Sequence, residues 1–388
     1  MNKERKHIIF LARWYPHRYD PMFGLFVQRH AEAAALFNDI TVIYCHACER
    51  QQDNKTTRQQ AKKFEIVRTN ENNVDTIRVY YKKPKNKIQS LLRFYRANMM
   101  ALKLCKKPDL IHVHVLTRLG VIAWIQKILH KTPYIITEHW SRYLPGNDFS
   151  GFLRKTACKL VVRNAKTVTT VTENLATAMN NHGLKNDNYV VLPNVVNLDM
   201  FHINQKCTDA INHVPTIIHI SCFEDKSKNI SGLLESLKII DDKGIDFQCK
   251  LIGEGMDLDL MKEKAKNLQL INKVSFTGLL QGQALADELS SGDFLVLSSN
   301  YENMPVVILE ALASGLPVVS TNVGGIKEMI DDTKGILVEP RNKEALAEAM
   351  IKMIETHKNY DANYLRNSVI EKYGYESVGM FLSRLYNK

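Results

Sequence analysis

Two glutamates eight positions apart, Glu302 and Glu310, are the side chains of this sequence best suited to chemistry on a sugar-containing ligand. A carboxylate accepts two hydrogen bonds at once, so it matches a vicinal diol of a ribose or a hexose. Pro305 favours a helix start between them, where exposed N–H groups attract phosphate. Gly324-Gly325, after the next strand, lets the backbone approach a ligand closely. Taken alone, the glutamate pair is more typical of an exposed acidic loop followed by a helix with one solvent-facing glutamate.

The longer segment 301–329 resembles the pattern of glycosyltransferase family 4. In that pattern E-x7-E continues as E-A-x-A-x-G-x-P-V-V and ends in G-G-x-x-E, and every element is present here. The resemblance implies an α/β fold with GT-B architecture, two Rossmann-like doubly wound domains facing across a cleft. It implies that Glu310 holds the ribose and that Glu302 faces the transferred sugar. The other donor contacts implied here are Asn303, Met304, Pro305, Val306, Gly324 and Gly325.

Two lysines after the apolar run 216–220 are candidates for binding the diphosphate. Lys226 and Lys228 could neutralise the charge that develops on a leaving diphosphate. The family usually has an Arg and, five residues later, a Lys-Gly step. Here Lys228-Asn229 matches that step, but Phe223 stands where the spacing places the Arg. Lys226 is the candidate substitute, and a solvated polar loop is the alternative for both lysines.

A second turn, Gly253-Glu254-Gly255, lies by resemblance at the donor cleft, so Gly253 joins the expected donor site. It is no dinucleotide fingerprint, because Leu258 occupies the third glycine position. Asp257 and Asp259 form a D-x-D, which binds metal in other glycosyltransferases. At the start of a helix, acidic residues also simply complement the helix dipole. We therefore expect no metal site and no cofactor, as the family resemblance implies.

In the first half of the chain, Gly24 and His139 are the candidate site residues. Gly24 follows the first strand and precedes a helix, where the family uses a glycine loop to reach the diphosphate and shape the acceptor site. His139, in the string TEHW, ends a strand and could donate to the leaving phosphate or orient a hydroxyl. His112 and His114 alternate on one strand face and are interpreted as core or cleft wall.

The elements that must position these residues are short apolar runs alternating with helical patterns, which predict parallel α/β units. We expect an acceptor-side domain over residues 1–200 and a nucleotide-sugar domain over 201–370. The C-terminal helix, 371–388, is expected to pack back on the first domain. A polar break without periodicity, Asn197–Val214, marks the connection.

The net charge of +11 is unevenly divided. Residues 1–200 hold 32 Lys+Arg and 15 Asp+Glu, or +17, and the remainder holds 20 and 26, or −6. The basic stretch Lys82–Lys107 could therefore meet anionic lipid or a lipid-diphosphate acceptor, or form an ordinary helix with its apolar face in the core. Seven cysteines, an odd number, and no apolar run long enough to span a bilayer favour a cytoplasmic protein. Peripheral contact with the inner face of the membrane is a hypothesis that the basic stretch suggests.

The resemblance to glycosyltransferase family 4 implies a retaining hexosyltransferase. It would move a sugar from a UDP- or GDP-sugar to a hydroxyl of a glycan or lipid-linked glycan, as in cell-surface polysaccharide assembly. His139, Glu302 and Lys228 are the expected catalytic residues. A sugar-nucleotide epimerase and a non-catalytic nucleotide-sugar-binding homologue are the alternatives. A nucleic-acid partner would explain the basic half of the chain but not the paired glutamates. An NAD-dependent oxidoreductase is disfavoured, because the sequence lacks the glycine pattern of a dinucleotide-binding site.

Overall fold

The structure, a computed structural model, describes residues 5–49, 64–145, 148–203 and 213–388. The chain divides into two compact units. Unit 1 runs to Val195 and also includes Tyr375–Lys388, and unit 2 is Val196–Gly374. The boundary lies a few residues before the expected position 200, just ahead of the expected break 197–214. Residues 204–212 of that break lie outside the described residues.

Unit 1 is built on one sheet in the order β3-β4-β2-β1-β5-β6-β7-β8. Every strand pairs in parallel except β3, which is antiparallel to β4. The central strands are continuous apolar runs, as expected for a parallel sheet covered on both faces. The strands are β1 His7–Ala12, β2 Asp39–Cys48, β3 Glu65–Glu71, β4 Val74–Lys82, β5 Leu110–His114, β6 Tyr134–Glu138, β7 Thr167–Thr170 and β8 Tyr189–Val191.

The helices of unit 1 follow these strands in alternation. They are α1 Leu25–Ala35, α2 Lys87–Lys103, α3 Thr117–His130, α4 Phe152–Asn164 and α5 Glu173–Asn181, together with the C-terminal α13 Tyr375–Asn387. The core between α1, α13 and the sheet is apolar and includes Phe10, Val42 and Leu382. These elements reproduce the alternation that the sequence predicts.

The antiparallel strand β3 is an addition that the apolar pattern does not predict. Its sequence EIVRTNE is polar, and the strand lies at the edge of the sheet with much of its surface exposed. The turn to β4 is made by Asn72 and Asn73, whose φ angles are 52° and 60°. Positive φ at both central residues is the geometry of a two-residue hairpin turn, which asparagine tolerates.

Unit 2 contains a parallel sheet in the order β11-β10-β9-β12-β13-β14. Its strands are β9 Thr216–Ile220, β10 Gln248–Ile252, β11 Val274–Gly278, β12 Phe294–Leu297, β13 Val318–Thr321 and β14 Gly335–Val338. Its helices are α6 Asp225–Lys228, α7 Ile230–Asp242, α8 Leu258–Asn267, α9 Gly282–Ser291, α10 Val306–Ala313, α11 Lys343–Thr356 and α12 Ala362–Tyr373. Among the described residues, no helix is long and apolar enough to cross a membrane.

Each sheet has one point where the strand order reverses. In unit 1 the chain moves outward from β1 and returns with β5 beside β1. In unit 2 it moves from β9 to β11 and returns with β12 beside β9. In open parallel sheets, ligands bind at the carboxyl ends of the strands at such a reversal. The loops after β9 and β12 are therefore where a ligand of unit 2 is expected.

The C-terminal helix α13 is part of unit 1 and packs against α1. The hydroxyl of Tyr386 lies 2.9 Å from Nδ1 of His112 in the sheet, and both side chains are buried. Gly379 permits this packing, because a Cβ at that position would lie only 2.3 Å from the carbonyl oxygen of Ala33. The close contact is with backbone, which cannot move aside as a flexible side chain would.

We expect Gly379→Ala to destabilise unit 1 even though alanine favours helix by about 1 kcal/mol over glycine. The clash with the Ala33 carbonyl should outweigh that gain and leave a net loss of roughly 1–3 kcal/mol. Urea unfolding of the variant measures the effect, and Met380→Ala, at the exposed neighbouring position, is the control. A Gly379→Ala variant as stable as the parent chain would contradict the packing described here.

Candidate functional site

The loop after β9 carries Lys228, the last residue of the four-residue helix α6, and is not the irregular loop that the sequence predicts. Asn229 follows with φ 51° and ψ 44°, the left-handed region. Glycine and asparagine are the residues that adopt this conformation most readily. The backbone therefore explains why asparagine can stand where the family pattern has glycine.

Lys228 and Glu302 meet where β9 and β12 lie side by side. The Nζ of Lys228 is 2.5 Å from Oε1 of Glu302, and the hydroxyl of Ser299 donates to the same oxygen at 2.8 Å. The two charged side chains are only 20% and 12% exposed. Burial lowers the pKa of Lys228, but the Glu302 carboxylate more than offsets this, so that the pKa lies above its ordinary value. Lys228 is therefore a cation held in place.

Hydrogen bonds join the backbones of the two loops around this ion pair. The hydroxyl of Ser298 donates to the carbonyl of Lys228 at 2.8 Å, and the amide N–H of Asn300 donates to the carbonyl of Ser227 at 2.8 Å. The side chain of Asn229 donates to the carbonyl of Ser298 at 3.2 Å. The polar string SSN before Glu302 thus positions the ammonium and the carboxylate together.

Gly324 and Gly325 support the Glu302 loop from the next loop along the sheet. A Cβ on Gly324, whose φ is 59°, would lie 1.9 Å from the carbonyl oxygen of Glu302. The N–H of Gly325 donates to the carbonyl of Asn303 at 3.0 Å. The sequence predicts that these glycines approach a ligand, whereas in the structure Gly324 approaches the backbone beside the ion pair.

Glu310 lies in the middle of α10 and is only 4% exposed. The helix begins at Val306, so Pro305 precedes the first turn instead of occupying it. Met304 is buried, while Asn303 and Val306 are partly exposed at the start of this helix. The donor-binding roles of these residues stay predictions.

The remaining sequence candidates of unit 2 surround α6. Gly253, with φ 137°, packs against Ser221, whose carbonyl oxygen would lie 1.9 Å from an added Cβ. Phe223, at the expected Arg position, is fully buried in the core. Lys226 is exposed. The carboxylate of Asp257 accepts the N–H of Asp225 at 2.8 Å, so the first residue of the D-x-D positions α6.

In unit 1, Gly24 immediately precedes α1 and has a φ of 72°. A Cβ there would lie 2.3 Å from the backbone carbon of Trp14, so only glycine lets the loop after β1 fold against its own strand end. The Trp14 ring contacts Phe26 and Trp140, at centroid distances of 6.0 and 5.4 Å. The loops after β1 and β6 are therefore in contact near Gly24.

Glu138, which ends β6 as the string TEHW predicts, shapes the loop that carries His139. Its fully buried carboxylate accepts the N–H groups of His139 and Trp140 at 2.9 Å, that of Leu116 at 3.0 Å, and the hydroxyl of Tyr143 at 3.3 Å. Burial raises the pKa of Glu138, and these donors act in the opposite direction. The carboxylate joins the loops after β5 and β6 and so positions His139.

His139 lies in a buried histidine cluster with His30 and His114. A ring nitrogen of His114 lies 3.1 Å from one of His139, and Nε2 of His30 lies 2.8 Å from the carbonyl of Pro193. Burial lowers the pKa of all three, which are therefore neutral near pH 7. The ring nitrogens of the three side chains that could bind a metal ion lie within 4.8 Å of one another. Among the described residues, this is the only group of three histidine, cysteine, aspartate or glutamate side chains placed so closely. His30 is not predicted as a member, because helix periodicity alone shows only that it faces inward.

Two models of protein families match this chain. A family model described as Glycosyl transferase 4-like domain matches residues 31–195, and one described as Glycosyl transferases group 1 matches residues 208–369. Together they span most of both units. The chain belongs to the group 1 glycosyltransferases. It is a transferase with the GT-B fold, as the segment around Glu302 predicts.

Relatives of this glycosyltransferase agree with that assignment. TuaC of Bacillus subtilis (strain 168), named as a putative teichuronic acid biosynthesis glycosyltransferase, is 26% identical over 88% of each chain. Among solved structures, sucrose-phosphate synthase from Thermosynechococcus elongatus has a TM-score of 0.79 at 19% identity, covering 99% of this chain and 98% of that one. Anabaena HepE with UDP and glucose has a TM-score of 0.74 at 16% identity, covering 99% and 100%. These structures support the fold.

We expect Lys228 and Glu302 of this glycosyltransferase to be energetically coupled. Lys228→Ala leaves a largely buried carboxylate without its cation, which should cost about 1–3 kcal/mol of unfolding free energy. Adding Glu302→Gln should recover part of that loss. A double-mutant cycle from urea unfolding measures the coupling.

The less buried pair Lys238 and Asp242, whose side chains are 27% and 63% exposed and lie 2.8 Å apart within α7, provides the control cycle. Its coupling should fall within about 0.2–1 kcal/mol, as for other surface pairs. Equal coupling energies in the two cycles would show that Lys228 and Glu302 behave as an ordinary surface pair.

Proposed function

We propose that this glycosyltransferase is a retaining enzyme that moves a hexose-type sugar from a UDP- or GDP-sugar to a hydroxyl of a glycan or lipid-linked glycan. The observation that carries the proposal is the Lys228–Glu302 pair at the strand-order reversal of unit 2. A cation for a diphosphate and a carboxylate for sugar hydroxyls lie there within one hydrogen bond of each other.

In the proposed reaction, the bond between the anomeric carbon and the β-phosphate oxygen breaks. The acceptor oxygen forms its new bond to the same face of the sugar. The leaving phosphate takes the proton of the acceptor hydroxyl, and Lys228 stabilises the charge that develops on this phosphate. Glu302 binds hydroxyls of the transferred sugar, and Glu310 binds the ribose. Lys226, Gly253 and the loop from Asn303 to Val306 complete the proposed donor site.

His139 and Gly24 are the proposed contributions of unit 1. A neutral imidazole carries one N–H, which suits His139 for donating to a phosphate oxygen or orienting a hydroxyl. The low pKa that burial gives His139 keeps it in this neutral form across the physiological range. Gly24 lets the loop after β1 fold against Trp14 and so shapes the loop that the acceptor would approach.

The ligands and names of similar proteins support the donor and acceptor classes. Anabaena HepE has also been crystallised in complex with UDP-glucose, and TuaC is named for teichuronic acid biosynthesis. A relative from Mycobacterium leprae, 23% identical over 72% of this chain, is a phosphatidyl-myo-inositol mannosyltransferase by name. Transfer in cell-surface polysaccharide assembly, by a cytoplasmic enzyme peripheral on the inner membrane face, is the role proposed on this basis.

Replacing Glu310 tests the donor site. Glu310→Ala and Glu310→Gln should each weaken binding of UDP or GDP about tenfold or more, because hydrogen bonds from the ribose to a carboxylate contribute roughly 1.5–3 kcal/mol. The glutamine variant preserves the volume of this buried side chain. Isothermal titration calorimetry measures the affinities, and Glu348→Ala on the exposed face of α11 is the control. Unchanged affinity for both nucleotides would refute the assigned role.

We also propose that donor binding requires no divalent cation, because Lys228 supplies a positive charge for the diphosphate. Excess EDTA should then leave the affinity of the enzyme for UDP or GDP unchanged. Calorimetry with and without Mg²⁺ measures this. A gain of about tenfold, or roughly 1.4 kcal/mol, on adding Mg²⁺ would contradict the proposal.

A further inference from the structure

Three helices of unit 1, α2, α3 and α4, lie side by side. Gln126 of α3 contacts Met99 of α2, with 3.9 Å between Nε2 and Sδ. The ammonium of Lys127 donates to the carbonyl of Asn164 in α4 at 2.7 Å. Each helix follows a parallel strand, β4, β5 or β6, so all three begin at the carboxyl edge of the sheet.

Two groups of large apolar side chains are exposed at this edge. Ile88 and Leu92, in the first turns of α2, are 69% and 63% exposed. Phe152 and Leu153, which begin α4, are 81% and 83% exposed. We call these two groups the apolar tips. Because neighbouring helices pack about 8–10 Å apart, the tips lie roughly 20 Å from each other, on either side of the start of α3.

The surroundings of the apolar tips are basic. The stretches 76–108 and 149–172 contain no aspartate or glutamate. Arg118, exposed at the start of α3 between the tips, lies over the ring of Phe94 at 5.9 Å. Lys83 is paired with Glu49, but most basic side chains of these stretches are exposed. The exposed ones near the tips are Lys82, Lys85, Lys87, Arg96, Arg118 and Arg154, and Arg93 and Lys155 there are partly exposed.

A cavity of about 310 Å³ adjoins the α2 tip. It is lined by Phe64, Gln89, Leu92, Arg93 and Arg96. The guanidinium of Arg96 lies 5.6 Å from the centre of the Phe64 ring, and Arg93 donates to the carbonyl of Lys82 at 2.8 Å. Two guanidinium groups beside apolar side chains suit a phosphate that is joined to a hydrocarbon chain.

We propose that the carboxyl edge of unit 1 docks on an anionic lipid bilayer. Both apolar tips enter the interface, the surrounding lysines and arginines bind anionic headgroups, and the arginine-lined cavity holds a lipid phosphate. Apolar side chains surrounded by basic ones are the composition that binds such interfaces. This orientation deepens the proposed function and rests on it, because Gly24 and His139 follow β1 and β6 and so lie at the same edge. A lipid-linked acceptor would then arrive from the docked face.

Vesicle flotation of the full chain tests the docking surface. Vesicles of phosphatidylcholine with phosphatidylglycerol should bind at least about tenfold more protein than vesicles of phosphatidylcholine alone, because the basic residues need anionic headgroups. The variants Ile88→Ser with Leu92→Ser, and Phe152→Ser with Leu153→Ser, should each lower binding by about tenfold, as each removes the apolar surface of one tip.

The matched control is Ile128→Ser with Leu129→Ser. These side chains are 57% and 65% exposed beside Lys127, but they end α3 and therefore lie at the opposite edge of the sheet. The control variant should bind anionic vesicles as the parent chain does. Equal losses for tip and control variants, or no preference for anionic vesicles, would overturn the proposal. Tip variants that bind anionic vesicles as well as the parent chain does would also overturn the proposal and would indicate that the tips bind a protein instead.

Nucleotide affinity separates this inference from the proposed function. The tip variants should bind UDP or GDP as the parent chain does, since the expected donor residues belong to unit 2. If neither the parent chain nor the tip variants bind UDP or GDP, the proposed function fails. If nucleotide binding is normal but flotation is unaffected by the tips, only the docking surface fails.

Discussion

The ion pair between Lys228 and Glu302 is the interaction around which the candidate site of unit 2 is arranged. These residues are far apart in the sequence, and they can meet only because β9 and β12 are neighbours with their carboxyl ends at one edge. Two largely buried charges are costly unless each has its partner. The surrounding loops therefore have to hold both side chains in place. They do so through the hydrogen bonds of Ser298 and Ser299 and through the contact of Gly324 with the Glu302 carbonyl.

Much of this site could be predicted from the sequence, because its signals are local. The strand FLVL, the polar string before Glu302 and the helix after Pro305 place the glutamate at the carboxyl end of a strand. The ion pair could not be predicted, since sequence spacing carries no information on which loops meet. For the same reason the Gly324 contact could not be predicted. The burial of Phe223 could not be predicted either, because it depends on which elements pack over this position.

In unit 1 the alternation of His112 and His114 correctly predicts a buried strand face, yet it does not show that His30 joins them from α1. Strand β3 is not predicted because exposed edge strands lack the apolar periodicity on which such predictions depend. The pair Asn72-Asn73 is the available local signal, since asparagine accepts positive φ in hairpin turns. The role of Glu138 beside His139 could not be predicted, because the sequence does not show which glutamates are buried or which groups donate hydrogen bonds to them.

The geometry of the ion pair also determines how a diphosphate could reach Lys228. An ammonium has three donors, and one is directed to Oε1 of Glu302. Two donors therefore remain for phosphate oxygens, so the ligand need not displace the glutamate. Lys228 and Ser299 both donate to Oε1 of the Glu302 carboxylate, which leaves Oε2 as the natural acceptor for a sugar hydroxyl. In the proposed donor complex, the ammonium would thus face the diphosphate and the free carboxylate oxygen the transferred sugar, while the ion pair stays intact.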